Sequence, residues 1–151
     1  MEISNGAWLM AASVALAVAA SVPANLITGW MCGWRALARR YPAADIADGP
    51  GVWALCSLSR PGGHKKVVKI RAGADRLHVA AFVLHQPGHA PFSVPWPDVE
   101  AVAETIPFGT RVMLGFAGVP GVRMRLSPRS ARRIAAASGG RLVLRGAAPR
   151  A

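Results

Sequence analysis

Between Ala7 and Cys32 the chain reads AWLMAASVALAVAASVPANLITGWMC, with no ionisable side chain other than the final cysteine. A run this uniform restricts every arrangement of the rest, because water solvates it poorly and a small core cannot enclose it. About 20 apolar residues cross the hydrocarbon core of a bilayer, and this run meets that length with a little tilt. Pro23 and Asn25 interrupt its last third, where a membrane helix tolerates a proline at the cost of a kink. Trp8 at one end and Trp30 and Trp34 at the other match the aromatic belts of the two interfaces. The run reads as an uncleaved anchor. A cleaved signal peptide is the rival, favoured by the A-x-A spacing in AVAASVPA and opposed by the lack of Lys or Arg ahead of the run.

Charge fixes an orientation. All 18 Lys and Arg lie from Arg35 onward, and of the seven acids only Glu2 precedes them, so the remainder carries a net +12. Arg35, Arg39 and Arg40 follow the span directly, and the positive-inside rule then places the C-terminal bulk in the cytoplasm. Cys32 and Cys56 have neither CxxC spacing nor a His-rich companion motif, and reduced thiols fit that compartment. Trp30, Trp34, Leu37 and Tyr41 recur at helical spacing. They predict one continuing helix with a shared apolar face at the membrane surface, ended by Pro42.

The chain divides into a span with its juxtamembrane extension (1–42), an Ala/Asp/Gly/Pro linker (43–51), a β-rich domain (52–145) and a frayed tail (146–151). Roughly 110 residues beyond the span suffice for one ordinary core. Short β-like runs fall at 52–59, 65–70, 76–84, 92–96, 99–105, 111–117 and 122–127, divided by Gly and Pro. In the last, Val122, Met124 and Leu126 alternate with Arg123, Arg125 and Ser127, the period of a half-buried strand. A helix follows: Ser127 is a suitable N-cap, Pro128 suits the first position, and Gly139–Gly140 stops it. The fold class is therefore α+β, with a single N-terminal transmembrane helix, a curved antiparallel β-sheet or barrel, and one C-terminal helix covering its open side. That is the layout of a pleckstrin-homology-like (PH-like) barrel; a plain α+β sandwich is the alternative.

The residues Gly33, Trp34, Leu37, Ala38 and Tyr41, and then His89, Pro91, Phe92, Pro95, Trp96, Asp98 and Val99, carry a resemblance. In GW-x-x-LA-x-x-Y and H-x-PF-x-x-PW-x-[DE]-[VI], the chain resembles a family of small, uncharacterised bacterial membrane-anchored proteins with a PH-like domain. The resemblance implies a fold and a bacterial inner (plasma) membrane location, and no reaction. Read physically, Pro91, Pro95 and Pro97 cannot donate ladder hydrogen bonds, so HAPFSVPWPDV belongs at a sheet edge or bend, with Trp96 over one end of the core.

Catalytic patterns are missing. No serine has a G-x-S-x-G context, no Gly-rich loop carries a phosphate-binding lysine, and Cys56 lies in an apolar strand. His85 and His89 flank Gln86-Pro87-Gly88, so their spacing of four is not helical and names no metal pair. The expectation is a non-enzymatic protein without cofactor or metal. Its basic groups form the candidate binding surface: Lys65, Lys66, Lys69 and Arg71 on one hairpin, Arg123 and Arg125 on one strand, and Arg129, Arg132 and Arg133 on the late helix. With Arg35, Arg39 and Arg40 they suit anionic lipid headgroups or an acidic protein partner. Nucleic acid is the alternative polyanion, but the aromatics are few and not interleaved with basic residues as stacking platforms require. The small-residue face Ala11, Ala12, Ala15, Ala19 leaves room for a third reading, an accessory subunit of an envelope complex.

Overall fold

The computed structural model describes residues 5–44, 51–58, 65–82 and 88–146. The turn at 60–64 with His64, the residue His85, and all of the tail after Gly146 lie outside the described residues. Helix α1 runs Asn5–Met31 with Pro23 inside it. Its apolar stretch Gly6–Met31 has a mean hydropathy of 1.8, long and apolar enough to cross a membrane. Every residue from Gly6 to Ala20 is exposed, Leu9, Met10 and Leu16 by at least 70% each, and within the stretch only Gly29, near its end, is buried.

The helix does not continue as one rod. Cys32 and Gly33 form a turn, and Gly33 adopts φ 86°, a left-handed conformation that costs any residue with a Cβ. A new helix, α2 (Trp34–Arg40), starts from it. The break corrects the expectation of a shared face. Trp30 is 69% exposed, whereas Trp34, Leu37 and Tyr41 are buried in the core.

Among the described residues eight strands follow: β1 (Gly51–Leu58), β2 (Lys66–Ala72), β3 (Arg76–Ala81), β4 (Phe92–Pro95), β5 (Val99–Ile106), β6 (Gly109–Phe116), β7 (Arg123–Leu126) and β8 (Leu144–Arg145). They form one sheet in the order β4-β3-β2-β1-β7-β6-β5-β8, antiparallel throughout except where β8 joins β5. β1 turns the corner. Gly51–Cys56 pair with β2, while Ser57 and Leu58 pair with Arg125 and Met124 of β7. One strand serving two directions curls the sheet into a half-barrel, and its inner face supplies the core.

Helix α3 (Pro128–Ala137) lies in the open side, against β1, β2 and β6. The Ser130 N–H donates to the Ser127 Oγ at 3.1 Å, and Pro128 occupies the first turn, as the sequence predicts. Ala131 and Ile134 are buried beneath it, while Arg129, Arg132 and Arg133 face outward. β7 keeps its period, with Met124 and Leu126 inward and Arg123 and Arg125 outward. β4 is an edge strand carrying Pro95 at its end, which suits a residue that cannot donate to a ladder. The chain entering the linker is tied to that edge: Pro42 bridges Phe92, and the Ala44 N–H donates to the Ser93 Oγ at 3.2 Å.

Two substitutions separate the contributions to α3. Ile134→Ala should lower the unfolding free energy of the detergent-solubilised full chain by about 2–5 kcal/mol. Ser127→Ala, which removes only the cap, should cost about 1 kcal/mol. Denaturant titration of both variants measures the difference; equal costs would contradict the placement of Ile134 as the residue that docks the helix.

Candidate membrane interface

The last turns of α1 meet the sheet through a close backbone contact. Gly29 is buried against the carbonyl of Gly88, and Gly88 lies over the backbone of Asn25 and Leu26. A Cβ on either glycine would collide with the other segment. Beside this contact Lys66 reaches from β2 toward α1, its Nζ 3.5 Å from the Thr28 Oγ1. Lys66 is the cross-strand partner of Cys56 and only 6% exposed. Burial lowers its amine below the usual lysine range, an effect opposed by the nearby Cys32 and Cys56. Burial also pushes the Cys56 thiol up to about 12, so it stays protonated and unreactive.

Helix α2 then anchors the junction. The Trp34 indole is fully buried, donates from Nε1 to the Ala90 carbonyl at 2.8 Å, and meets His89 and Phe92 edge-on at 5.2 Å each. Tyr41 joins distant segments. Its hydroxyl donates to Asp98 Oδ2 at 2.9 Å and accepts from the Gly118 N–H at 2.7 Å. Burial raises its phenol above the ordinary value, with the Gly118 hydrogen bond working against it. Trp96, at the start of a single 3-10 turn before β5, donates from Nε1 to the Gly73 carbonyl at 3.1 Å.

These contacts sort the expected interface residues. Trp8 and Trp30 are exposed on α1, and Arg35, Arg39 and Arg40 are exposed on α2, with the Arg40 guanidinium 5.4 Å from the Tyr41 ring centre. Trp34 and Tyr41 are corrections: both belong to the core and not to an interfacial belt, because the turn at Gly33 rotates them inward. His89, Phe92 and Trp96 are buried, Pro95 and Asp98 half-buried, and Pro91 exposed at the edge strand.

The basic groups do not form one surface. Lys66 is another correction, since alternation along β2 places it on the inner face with Val68 and Ile70. Lys65 is exposed just ahead of β2, and Lys69 and Arg71 lie on the outer face of β1–β3. Arg125 continues that face through its pairing with Ser57. Arg129, Arg132 and Arg133 point away from the sheet on the far side of α3. Missed by the sequence reading is the apolar part of the outer face, where Trp53, Leu55, Val67 and Phe82 are 40–53% exposed.

Among the described residues no His, Cys, Asp and Glu come together as a metal site. A surface groove of about 590 Å³ runs along β5 and the C-terminal segment, with Arg123, Arg141 and Arg145 facing Asp98 and Glu100. Arg145 stands 3.7 Å from Glu100, so much of its charge is balanced within the protein. His78, 6% exposed, holds Ser93 through Nδ1 at 2.7 Å. Comparisons with protein-family models, curated proteins and solved structures returned no match.

Two outcomes follow from this geometry. Gly29→Ala should pry α1 from the 88–90 segment and expose the buried Cys32 and Cys56, read as faster maleimide labelling in the full chain. Labelling as slow as in the parent protein would show that the contact is not needed. Burial holds His78 below the ordinary imidazole range, with Asp75 opposing. The unfolded chain therefore takes up a proton first, and stability should fall as pH drops below about 6.5. Thermal unfolding across that range should show a flatter dependence in His78→Asn.

Proposed function

We propose that this chain is a single-pass bacterial inner-membrane protein whose PH-like domain lies on the cytoplasmic side and acts without catalysis. Its domain engages anionic lipid headgroups or an acidic protein partner close to the bilayer. The observation that carries this reading is α1, uncharged from Gly6 to Met31 and exposed over all but its last turns, where it packs on the domain. An apolar surface of that extent on a protein in water would drive association, and a bilayer removes it from water. Trp8 and Trp30 are 22 residues apart in one helix, about 33 Å at the helical rise, close to the roughly 30 Å of a hydrocarbon core.

Orientation rests on Arg35, Arg39 and Arg40, exposed directly after the span. The PH-like assignment rests on a sheet folded over at its first strand, with a C-terminal helix in the open side. The family resemblance carried by the motifs around Trp34 and Trp96 supports the same assignment. Arguing for a binding role, the domain has a large basic excess and a buried, protonated Cys56 in place of an activated nucleophile.

The test is fractionation of the full chain joined to topology reporters. It should resist alkaline carbonate extraction, and a fluorescent protein fused after Ala151 should fold while alkaline phosphatase at the same place stays inactive. Release into the soluble fraction would remove the anchor; an active phosphatase fusion would reverse the orientation.

A further inference from the structure

The outer face of β1–β3 is graded. Leu55 and Val67 are cross-strand partners, and the Val67 carbonyl accepts the Phe82 N–H at 3.0 Å, so the three make one apolar row. The next row pairs Trp53 with Lys69, whose Nζ lies 5.6 Å from the indole centre, and the Trp53 ring meets Phe82 edge-on at 6.1 Å. Beyond it Arg71 pairs with His78. On the opposite side of the apolar row stand Lys65 and Arg125. No acidic residue occurs in β1, β2 or β3. The result is an aromatic and aliphatic strip between cations.

Its position relates it to the span. Lys66, between Lys65 and Val67, contacts Thr28 of α1, and Gly88 lies over Asn25. Thr28 is two residues before Trp30, about 3 Å toward the bilayer centre. The part of the half-barrel that carries Val67, beside Lys66, and its row partners Leu55 and Phe82 is thus held near the depth where headgroups meet acyl chains. Trp at that depth keeps its indole N–H wet and its ring in apolar surroundings, while lysine stems lie along apolar surface with the amine at the phosphates.

We propose that this face is a second membrane contact: Trp53, Leu55, Val67 and Phe82 enter the interfacial layer of the bilayer that holds α1, and Lys65, Lys69 and Arg71 bind anionic headgroups. The proposal rests on the reading of α1 as a membrane span. It commits to lipid over a protein partner because Lys66, next to the strip in β2, ties that strand to the span, and because the charge of the strip is wholly positive.

The test uses the full chain in vesicles containing phosphatidylglycerol, with lipids brominated at shallow acyl positions. Subtracting the emission of Trp53→Phe from that of the parent isolates Trp53; of the four tryptophans that remain, Trp34 and Trp96 are buried in the core, so the part of their emission open to quenching comes from Trp8 and Trp30 and reports the span. The expected result is a blue-shifted Trp53 signal, quenched by the bromolipids and shielded from aqueous acrylamide. The combined Lys65→Glu and Lys69→Glu variant should lose most of that quenching, and high salt should weaken it. A Trp53 that stays water-exposed, or is shielded without bromolipid quenching, while Trp8 and Trp30 are quenched, would overturn this contact and leave the anchor standing. Escape of Trp8 and Trp30 from the bromolipids would overturn both.

Discussion

Burial of Trp34, Leu37 and Tyr41 immediately after the apolar helix is the constraint on which the rest of the molecule depends. A curled sheet that does not close has two free edges, and unpaired strand edges invite association. Here the α2 segment covers one of them. The Tyr41 carbonyl accepts the Ser93 N–H at 3.1 Å, Pro42 bridges Phe92, and the Trp34 ring fills the space behind Phe92 and His89. The Tyr41 hydroxyl meanwhile reaches Asp98 and Gly118, at the start of β5 and beyond the end of β6. A short stretch of chain therefore joins both halves of the half-barrel.

The same stretch is joined to the apolar helix by only two residues, Cys32 and Gly33. A domain hung from a bilayer by a long flexible linker would sample many orientations. Here the domain is held against the apolar helix by backbone packing of Gly29 on Gly88 and by the buried Trp34. The orientation follows from close packing, since glycine at both contact points lets the two backbones approach as no larger residue would. The proposed binding role asks for fixed presentation of a face, which this packing supplies.

Much of the architecture was legible in the sequence. The alternation of β7, the Ser127 cap, the Gly stop after α3 and the proline-rich edge strand each follow from local rules, and each occurs where those rules place it. The residues around the end of the apolar helix were harder. Spacing alone puts Trp30, Trp34, Leu37 and Tyr41 on one face, but it does not say that Gly33 would turn left-handed and send three of them into the core. For Lys66 the signal was present: it shares parity with Val68 and Ile70, and the concentration of positive charge around it hid that alternation. The outer patch at Trp53 and Leu55 was illegible for the opposite reason. VWALCSLS is apolar on both faces, so no period distinguishes the inward from the outward side.

The most direct measurement is amide hydrogen exchange of the full chain in lipid nanodiscs, followed along residues 25–41 and 88–93. If helix, junction and sheet form one unit, the amides of α2 and the Ser93 N–H should exchange as slowly as the central strands β1 and β2, opening only with global unfolding. Exchange of α2 orders of magnitude faster than β1 and β2 would contradict the account, making the domain a loosely tethered body and leaving the position of its outer face unfixed.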